Sequence, residues 1–557
     1  MTIGLSPDFP ISVLGPDPWG GPGSISIESA EEEDYEEIEG DKIEPSPMIP
    51  PEINLSDNAR KRLIRYLDEE LSIAEGERWD WVRKISRLKE KYDAPFPEFP
   101  KDWPIQNASQ ITIPVIKMAV NAVSNRILQT LLAAEPIVSI RTSDATEEAL
   151  VGEFNWKDFA VQYEKFLDIY TTDKLKVRKV LRDWVIETVK LGTGILEDTT
   201  ELRRKKLVTF DEATGEYIST IVDDFNGPII FHVPVEDYWQ RVEFNSPDEA
   251  PWAGKEIRRT WSQIKDMAIS GVLNPDEIDN IWKFGGDEPP ESVTDTEERE
   301  DLQPNGRQTF NLFELAIRWD VDGDGIEEEL MVYFHRNSRS LLRVKHSGFR
   351  NRPWKIANYI PVEHRMYGEG LAETVEHLQE EISTIHNQRI DNATIANLRI
   401  ILVRRLFAGL RPGDRLWTGK IVKVPESVTE DVGTLQLGEV YPSTERAEQM
   451  AMQYVERVAP GAGEQATGSA SPVTRTTATA QMAVLEEPNR MFAMPIKNKR
   501  EALTEVFQQI TDLFTVVGTG GLAEEFLGPK NGRLVDEGLR QPAELIRRRI
   551  KIQVQAT

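Results

Sequence analysis

The stretch Tyr367-Gly368-Glu369-Gly370-Leu371-Ala372-Glu373-Thr374-Val375-Glu376-His377-Leu378 decides how the chain is read. Leu371, Val375, Leu378, Ile382 and Ile385 follow one another at spacings of four, three, four and three residues. That repeat draws a narrow apolar seam along one side of a helix, with Glu373, Glu376, Glu380 and Glu381 on the rest. A seam this narrow calls for another helix against it rather than a broad core. Residues 370–397 at about 1.5 Å per residue give a rod roughly 40 Å long. The feature points to a protein that assembles.

Upstream, residues 1–55 are rich in Gly and Pro and then strongly acidic from Glu28 to Glu44, which predicts a disordered tail. Ser56 is a plausible N-cap for a helix that places Leu63, Leu67, Leu71 and Ala74 on one face and reaches Tyr92. A Pro-rich stretch then breaks the pattern. Further helices are expected over 114–132 and 163–189, the latter ended by Gly192-Thr193-Gly194. Strands are expected over 206–210, 217–222 and 229–233, and a helix near 261–270. Phe313, Leu315, Ile317 and Trp319 alternate, as do Leu330, Val332 and Phe334, predicting a hairpin. Downstream lie a strand at 421–424, an amphipathic helix over 444–458, and a Gly/Ser/Thr-rich loop to about 477. A helix bent at Pro488 and Pro495 within 478–517 follows, then a closing strand through Ile550, Ile552 and Val554.

The chain has 557 residues, enough for two to four packed units, and 39% hydrophobic residues with 13 Trp supply the cores. A net charge of -28 argues against a surface that grips nucleic acid throughout, yet is compatible with a smooth acidic passage for DNA or with ordinary solubility. With no Cys there is no disulfide framework and no thiolate metal site, and no apolar run approaches the ~20 residues of a membrane helix. The expectation is a soluble chain in a reducing compartment, without secretory signal.

Little chemistry survives inspection. Asp320-Val321-Asp322-Gly323-Asp324-Gly325 begins like a calcium loop, but Met331 stands where the bidentate Glu belongs and strands flank it, so a hairpin turn is the better reading. Glu327 and Glu328 could help Asp320, Asp322 and Asp324 hold a cation weakly. No Gly-rich loop ends in Gly-Lys-Ser/Thr, the six His show no zinc spacing, and no G-x-S-x-G elbow occurs. The basic runs Arg203-Arg204-Lys205-Lys206, Arg404-Arg405 and Arg547-Arg548-Arg549 read first as solvated or ion-paired faces. No cofactor and no catalytic residue are expected.

Several segments together resemble the portal protein of tailed bacteriophages, the head-to-tail connector. They are Trp103-Pro104-Ile105-Gln106-Asn107-Ala108-Ser109 with Ile113-Pro114, the Asp/Gly-rich turn, and Tyr367-Gly368-Glu369-Gly370. Leu378-Gln379, Asn387-Gln388-Arg389-Ile390-Asp391-Asn392 and Thr476-Thr477-Ala478-Thr479-Ala480 complete the set.

The resemblance implies an α+β, mainly helical subunit with wing, two-helix stem, clip and crown, assembled as a ring, commonly a dodecamer, around a double-stranded DNA channel. By that analogy the wing occupies 56–250 and 404–518, and a first stem helix lies in 251–285 with 256–270 as its candidate. The clip falls in 286–366, the long second stem helix in 367–403, and the crown-proximal segment in 519–557. A channel loop is implied within 404–440 or 459–477. Implied partners are further copies of the chain, the major capsid protein, the terminase large subunit, a head-tail adaptor and DNA bound without sequence specificity. The implied location is the capsid portal vertex of the virion, after assembly in the host cytoplasm. Arg389, Arg404, Arg405 and Lys420 are the candidate DNA-proximal residues. The competing readings are another head-tail structural protein, or a metal-dependent nucleic-acid enzyme using Asp320, Asp322 and Asp324.

Overall fold

The Ser56 hydroxyl accepts from the Ala59 amide at 3.3 Å, and the first helix of the computed structural model, α1 (Asp57–Asp93), starts there with Asp57 in its first turn. It stops where Ala94 turns left-handed at φ 46°. The structure describes residues 52–95, 108–142, 154–211, 216–284, 286–287, 308–397, 400–403, 432–435, 441–460 and 492–554, with side chains except at 202–224, 395–397, 400–403, 432–435 and 441–443. The acidic tail up to residue 51, the strand at 421–424, the loop after 460 and Pro488 lie outside the described residues.

The first half of α1 covers an antiparallel five-stranded sheet whose strands neighbour one another in chain order. Its strands are β4 (Tyr238–Gln240), β5 (Trp252–Thr260), β6 (Thr309–Trp319), β7 (Glu328–His335) and β8 (Ser340–His346). The period-2 pattern sorts the side chains. Phe313, Leu315 and Ile317 join Leu63, Leu67 and Leu71 of α1 on one face. Phe310 and Leu312 meet helices α5 (Trp261–Ile269) and α6 (Pro275–Phe284) on the other.

A long ribbon of β2 (Thr193–Asp211) and β3 (Glu216–Val233), bulged between Arg203 and Arg204, pairs with β9 (Trp354–Asn358). The helical layer comprises α2 (Val115–Leu132), α3 (Trp156–Ile169), α4 (Val177–Leu191), α7 (Leu371–Asn397), α8 (Tyr441–Val458) and α9 (Ala493–Val517), followed by α10 (Leu522–Leu527), α11 (Pro529–Leu539) and α12 (Ala543–Arg549). Its core runs from Ile85 and Leu88 of α1 to Val554, where the closing strand β12 (Ile550–Val554) pairs with β1 (Val138–Thr142). Beyond α7, β10 (Ile400–Val403) pairs antiparallel with β11 (Val432–Leu435). The chain is α+β, with helix predominating.

Three expectations are corrected. Residues 256–260 are strand, not the start of a helix: they pair residue for residue with β6, and a Thr260–Gln263 capping box delays helix to Trp261. The resulting α5 has nine residues, about 13 Å. The helix expected over 163–189 is two, because a π turn at Tyr170–Lys174 and a left-handed Lys176 (φ 49°) separate α3 from α4. The run Thr171-Thr172-Asp173 lies at that break, where short polar side chains bond their own backbone; the Thr171 hydroxyl donates to the Asp168 carbonyl at 3.1 Å. Pro495 occupies the first turn of α9, where no intrahelical N–H is needed, so it bends nothing.

Candidate functional site: the junction that sets the long helix

Two glycine motifs far apart in sequence interlock at the entry to α7. Gly192 ends α4 in the left-handed region (φ 96°), donating its amide to the Thr188 carbonyl at 2.9 Å. A Cβ on Gly192 would lie 2.6 Å from the Glu369 carbonyl carbon; one on Gly370 would lie 2.7 Å from the Gly192 nitrogen; one on Gly368 would lie 2.7 Å from the Gly192 oxygen. Only backbones without side chains fit together this closely. The Gly368 amide donates to Thr193 Oγ1 at 2.8 Å, and Tyr367 stacks on Trp81 of α1 with ring centroids 3.8 Å apart.

From this anchor each side of α7 meets a different partner. The apolar seam is intrachain core: Leu371, Val375 and Ile382 are fully buried, Leu378 packs against the same cluster, and Ile385 is half-buried. The elements against this helix include α2, α4 and α8. The acidic side pairs with a basic row on α1: Lys84 with Glu373 (2.6 Å), Arg87 and Lys91 with Glu376 (3.1 Å each), and Lys91 with Glu380 (2.6 Å). The Lys91 hydrogen bond holds Glu380 below the usual carboxylate range.

A third side is a polar rail. Gln379, Ser383, Asn387 and Asp391, one every four residues, read the backbone of residues 109–113 and the first turn of α2, which run the opposite way. Ser109 N donates to Asp391 Oδ1 (2.7 Å), Ile111 N to Asn387 Oδ1 (2.9 Å), Ile113 N to Ser383 Oγ (3.1 Å) and Ile116 N to Gln379 Oε1 (2.9 Å). Asn387 also accepts from the Ser109 hydroxyl (2.9 Å) and donates to the Ile111 carbonyl (3.0 Å). Asn387→Ala should therefore cost roughly 2–3 kcal/mol. In hydrogen exchange it should strip protection from the Ile111 amide while leaving the core of α4 unchanged.

The candidate residues read from sequence fare differently. Arg389 is committed to Glu448 of α8 at 2.8 Å and donates to His386 Nδ1 at 3.1 Å. Arg404, Arg405 and Lys420 lie outside the described residues. Asp320, Asp322 and Asp324 do converge, their carboxylates within 4.8 Å of one another. Their oxygens, however, serve the turn: Asp320 accepts from the Gly323 (2.6 Å) and Gly325 (2.9 Å) amides, Asp322 from Asp324 (3.1 Å), and Asp324 from Ile326 (2.7 Å). Of the basic runs, Arg547 pairs with Asp512.

Two features escaped the sequence. His335 Nε2 meets Asp287 Oδ2 and its Nδ1 meets Ser338 Oγ, both at 2.6 Å. The Ser338 hydroxyl donates instead to Ser340 Oγ (2.9 Å), and Asp287 also accepts from Asn337 (2.7 Å) and the Asn311 amide (2.9 Å). A nucleophilic serine must give its proton to the imidazole; this row pins residue 287 to the β7–β8 hairpin. The second is Lys499 of α9, fully buried, whose Nζ finds no hydrogen-bond partner among the described residues and lies 5.8 Å from the Trp184 ring. Burial pushes its amine down to about 7. Its signal was a lysine at the apolar spacing Ile496, Lys499, Leu503, Val506.

These contacts seat one long helix between α1, the helical core and the 109–116 segment, and no described helix is long and apolar enough to cross a membrane. The sequence pattern of the Phage SU10 portal protein family matches residues 217–520, more than half of the chain, and the chain belongs to that family. No curated protein matches it.

Proposed function

We propose that the chain is the repeating subunit of a portal ring at a capsid vertex, through which double-stranded DNA is packaged and later ejected. The family match carries this reading, because it spans β3 to α9 and so contains the Gly368–Gly370 side of the glycine junction and all of α7. The two-helix stem is α7 with α8, not α7 with the short α5. The β10–β11 pairing Ile400↔Leu435 returns the chain close to where α7 ended, and α8 then packs back along α7 through Glu448, His386 and Arg389. Residues 398–440 connect these helices in sequence and include Arg404, Arg405 and Lys420, the candidate positions for contact with DNA or the packaging motor. The terminase, head-tail adaptor and major capsid protein are the partners such a ring serves.

The net charge of -28 favours a passage that does not hold DNA. A metal-dependent nuclease is disfavoured because the Asp320, Asp322 and Asp324 oxygens serve turn amides. Phage carrying a premature stop in this gene should form heads that contain no DNA, with filling restored when the chain is supplied in trans. Heads filled to normal density without it would overturn the assignment.

A further inference from the structure

The α7–α8 hairpin leaves two free faces whose chemistry is complementary. On α8, Arg446, Met450, Tyr454 and Arg457 recur at spacings of four, four and three residues, so they form one stripe on the side opposite Glu448, Ala451 and Val455, which face α7 and the core. Met450 is 53% and Tyr454 46% exposed, unusual for such side chains on a helix already packed along its other side. Arg457 rides over the Tyr454 ring at 5.6 Å, and among the described residues neither Arg446 nor Arg457 has a carboxylate partner.

On α7 the free stripe is Thr374, His377, Glu381, Thr384 and Gln388, all exposed, with Glu380 beside it half paired to Lys91. Glu381 has no ion-pair partner among the described residues. At 100° per residue this stripe points about 130° away from His386 and Arg389, the side that holds α8. The two helices run antiparallel, so both free faces occupy the same level of the hairpin, on roughly opposite sides of it.

We infer that the Arg446–Met450–Tyr454–Arg457 stripe of α8 docks on the Thr374–His377–Glu381–Thr384–Gln388 stripe of α7 in a neighbouring copy of the chain. This inference rests on the ring reading above. The contact is heterologous, one patch against a different one, which is the arrangement that closes rings. At that shared level Arg457 meets Glu380 and Glu381, Arg446 lies beside Gln388, and Met450 and Tyr454 cover Thr384. Seated this way, α7 lies between its own α8 and its neighbour's, and the apolar exposure of α8 disappears without any change inside the protomer.

The absence of Cys makes the test direct. Thr384→Cys with Met450→Cys, combined in one full-length chain and oxidised, should give a ladder of covalent multimers on a denaturing gel. Either single variant should stay monomeric on that gel. An intrachain bridge would run at monomer size on that gel and so cannot produce the ladder. Glu381→Arg should abolish rings in particle images, and Arg457→Glu added to it should restore them. All four sites are exposed, so unchanged thermal unfolding will confirm folded protomers. If the wild-type chain forms rings while the double-Cys chain gives no ladder and Glu381→Arg leaves rings intact, this docking is wrong and the ring stands. If the wild-type chain forms no ring, the parent reading fails first.

Discussion

Gly192→Ala is expected to abolish the folded protomer or to destabilise it by roughly 4 kcal/mol or more. Two independent costs coincide there. The φ of 96° is a conformation alanine adopts only under strain, of the order of 1–2 kcal/mol. The new Cβ would also lie 2.6–2.7 Å from the Glu369 and Gly368 carbonyl carbons, and backbone cannot rotate aside as a side chain can. Displacing 368–370 would release Tyr367 from Trp81 and shift the first turn of α7, from which the α1 ion pairs and the polar rail take their register. Gly271→Ala is the matched control, with φ of 74° but open space around its Cβ, and should cost only about 1 kcal/mol. Urea unfolding of the two variants beside the parent separates strain from collision; equal losses would mean that the interlock is slack.

Lys499→Met should act in the opposite direction and make the protomer more stable near neutral pH. The amine is fully buried without a hydrogen-bond partner among the described residues, and its value falls from 10.5 to about 7. Such a shift is on the order of 4–5 kcal/mol of differential stability. The sign follows from proton counting. Between pH about 7 and 10.5 the unfolded chain holds a proton on this lysine that the folded chain does not, so stability from this residue rises with pH across that window. Above it the amine is neutral in both states and the penalty vanishes; below about 7 the penalty is complete. Unfolding free energies measured from pH 7 to 10 should therefore climb in the parent and lose that slope in Lys499→Met. A parent slope that survives the substitution would place the proton elsewhere.

The elements legible in the sequence are those whose determinants are local. Ser56 starts α1 because its cap and the Leu63–Leu67–Leu71 face lie within a few turns of each other. The seam of α7 and the alternation of Phe313, Leu315 and Ile317 declare their period directly. What sequence could not supply was the partner. The same four-three repeat that announces a helix seam fits a neighbouring subunit and an intrachain core equally well, and here Leu371, Val375 and Ile382 face the core. β5 was hidden because its strand character comes from pairing with β6 across the 48 residues between Thr260 and Thr309. Gly192-Thr193-Gly194 looked like a helix end, which it is, while its second role against Gly368 and Gly370 exists only in three dimensions. Asn387 and Asp391 were visible as a motif, yet their use, to hold the backbone of 109–111, required the fold.

The central claim, a subunit whose seated α7–α8 stem closes into a ring around DNA, is tested most directly by electron-microscopic images of the purified full-length chain. The expected result is closed rings with rotational symmetry and a central hole wide enough for a DNA duplex. A homogeneous monomer at micromolar concentration, with no rings in any field, would contradict it.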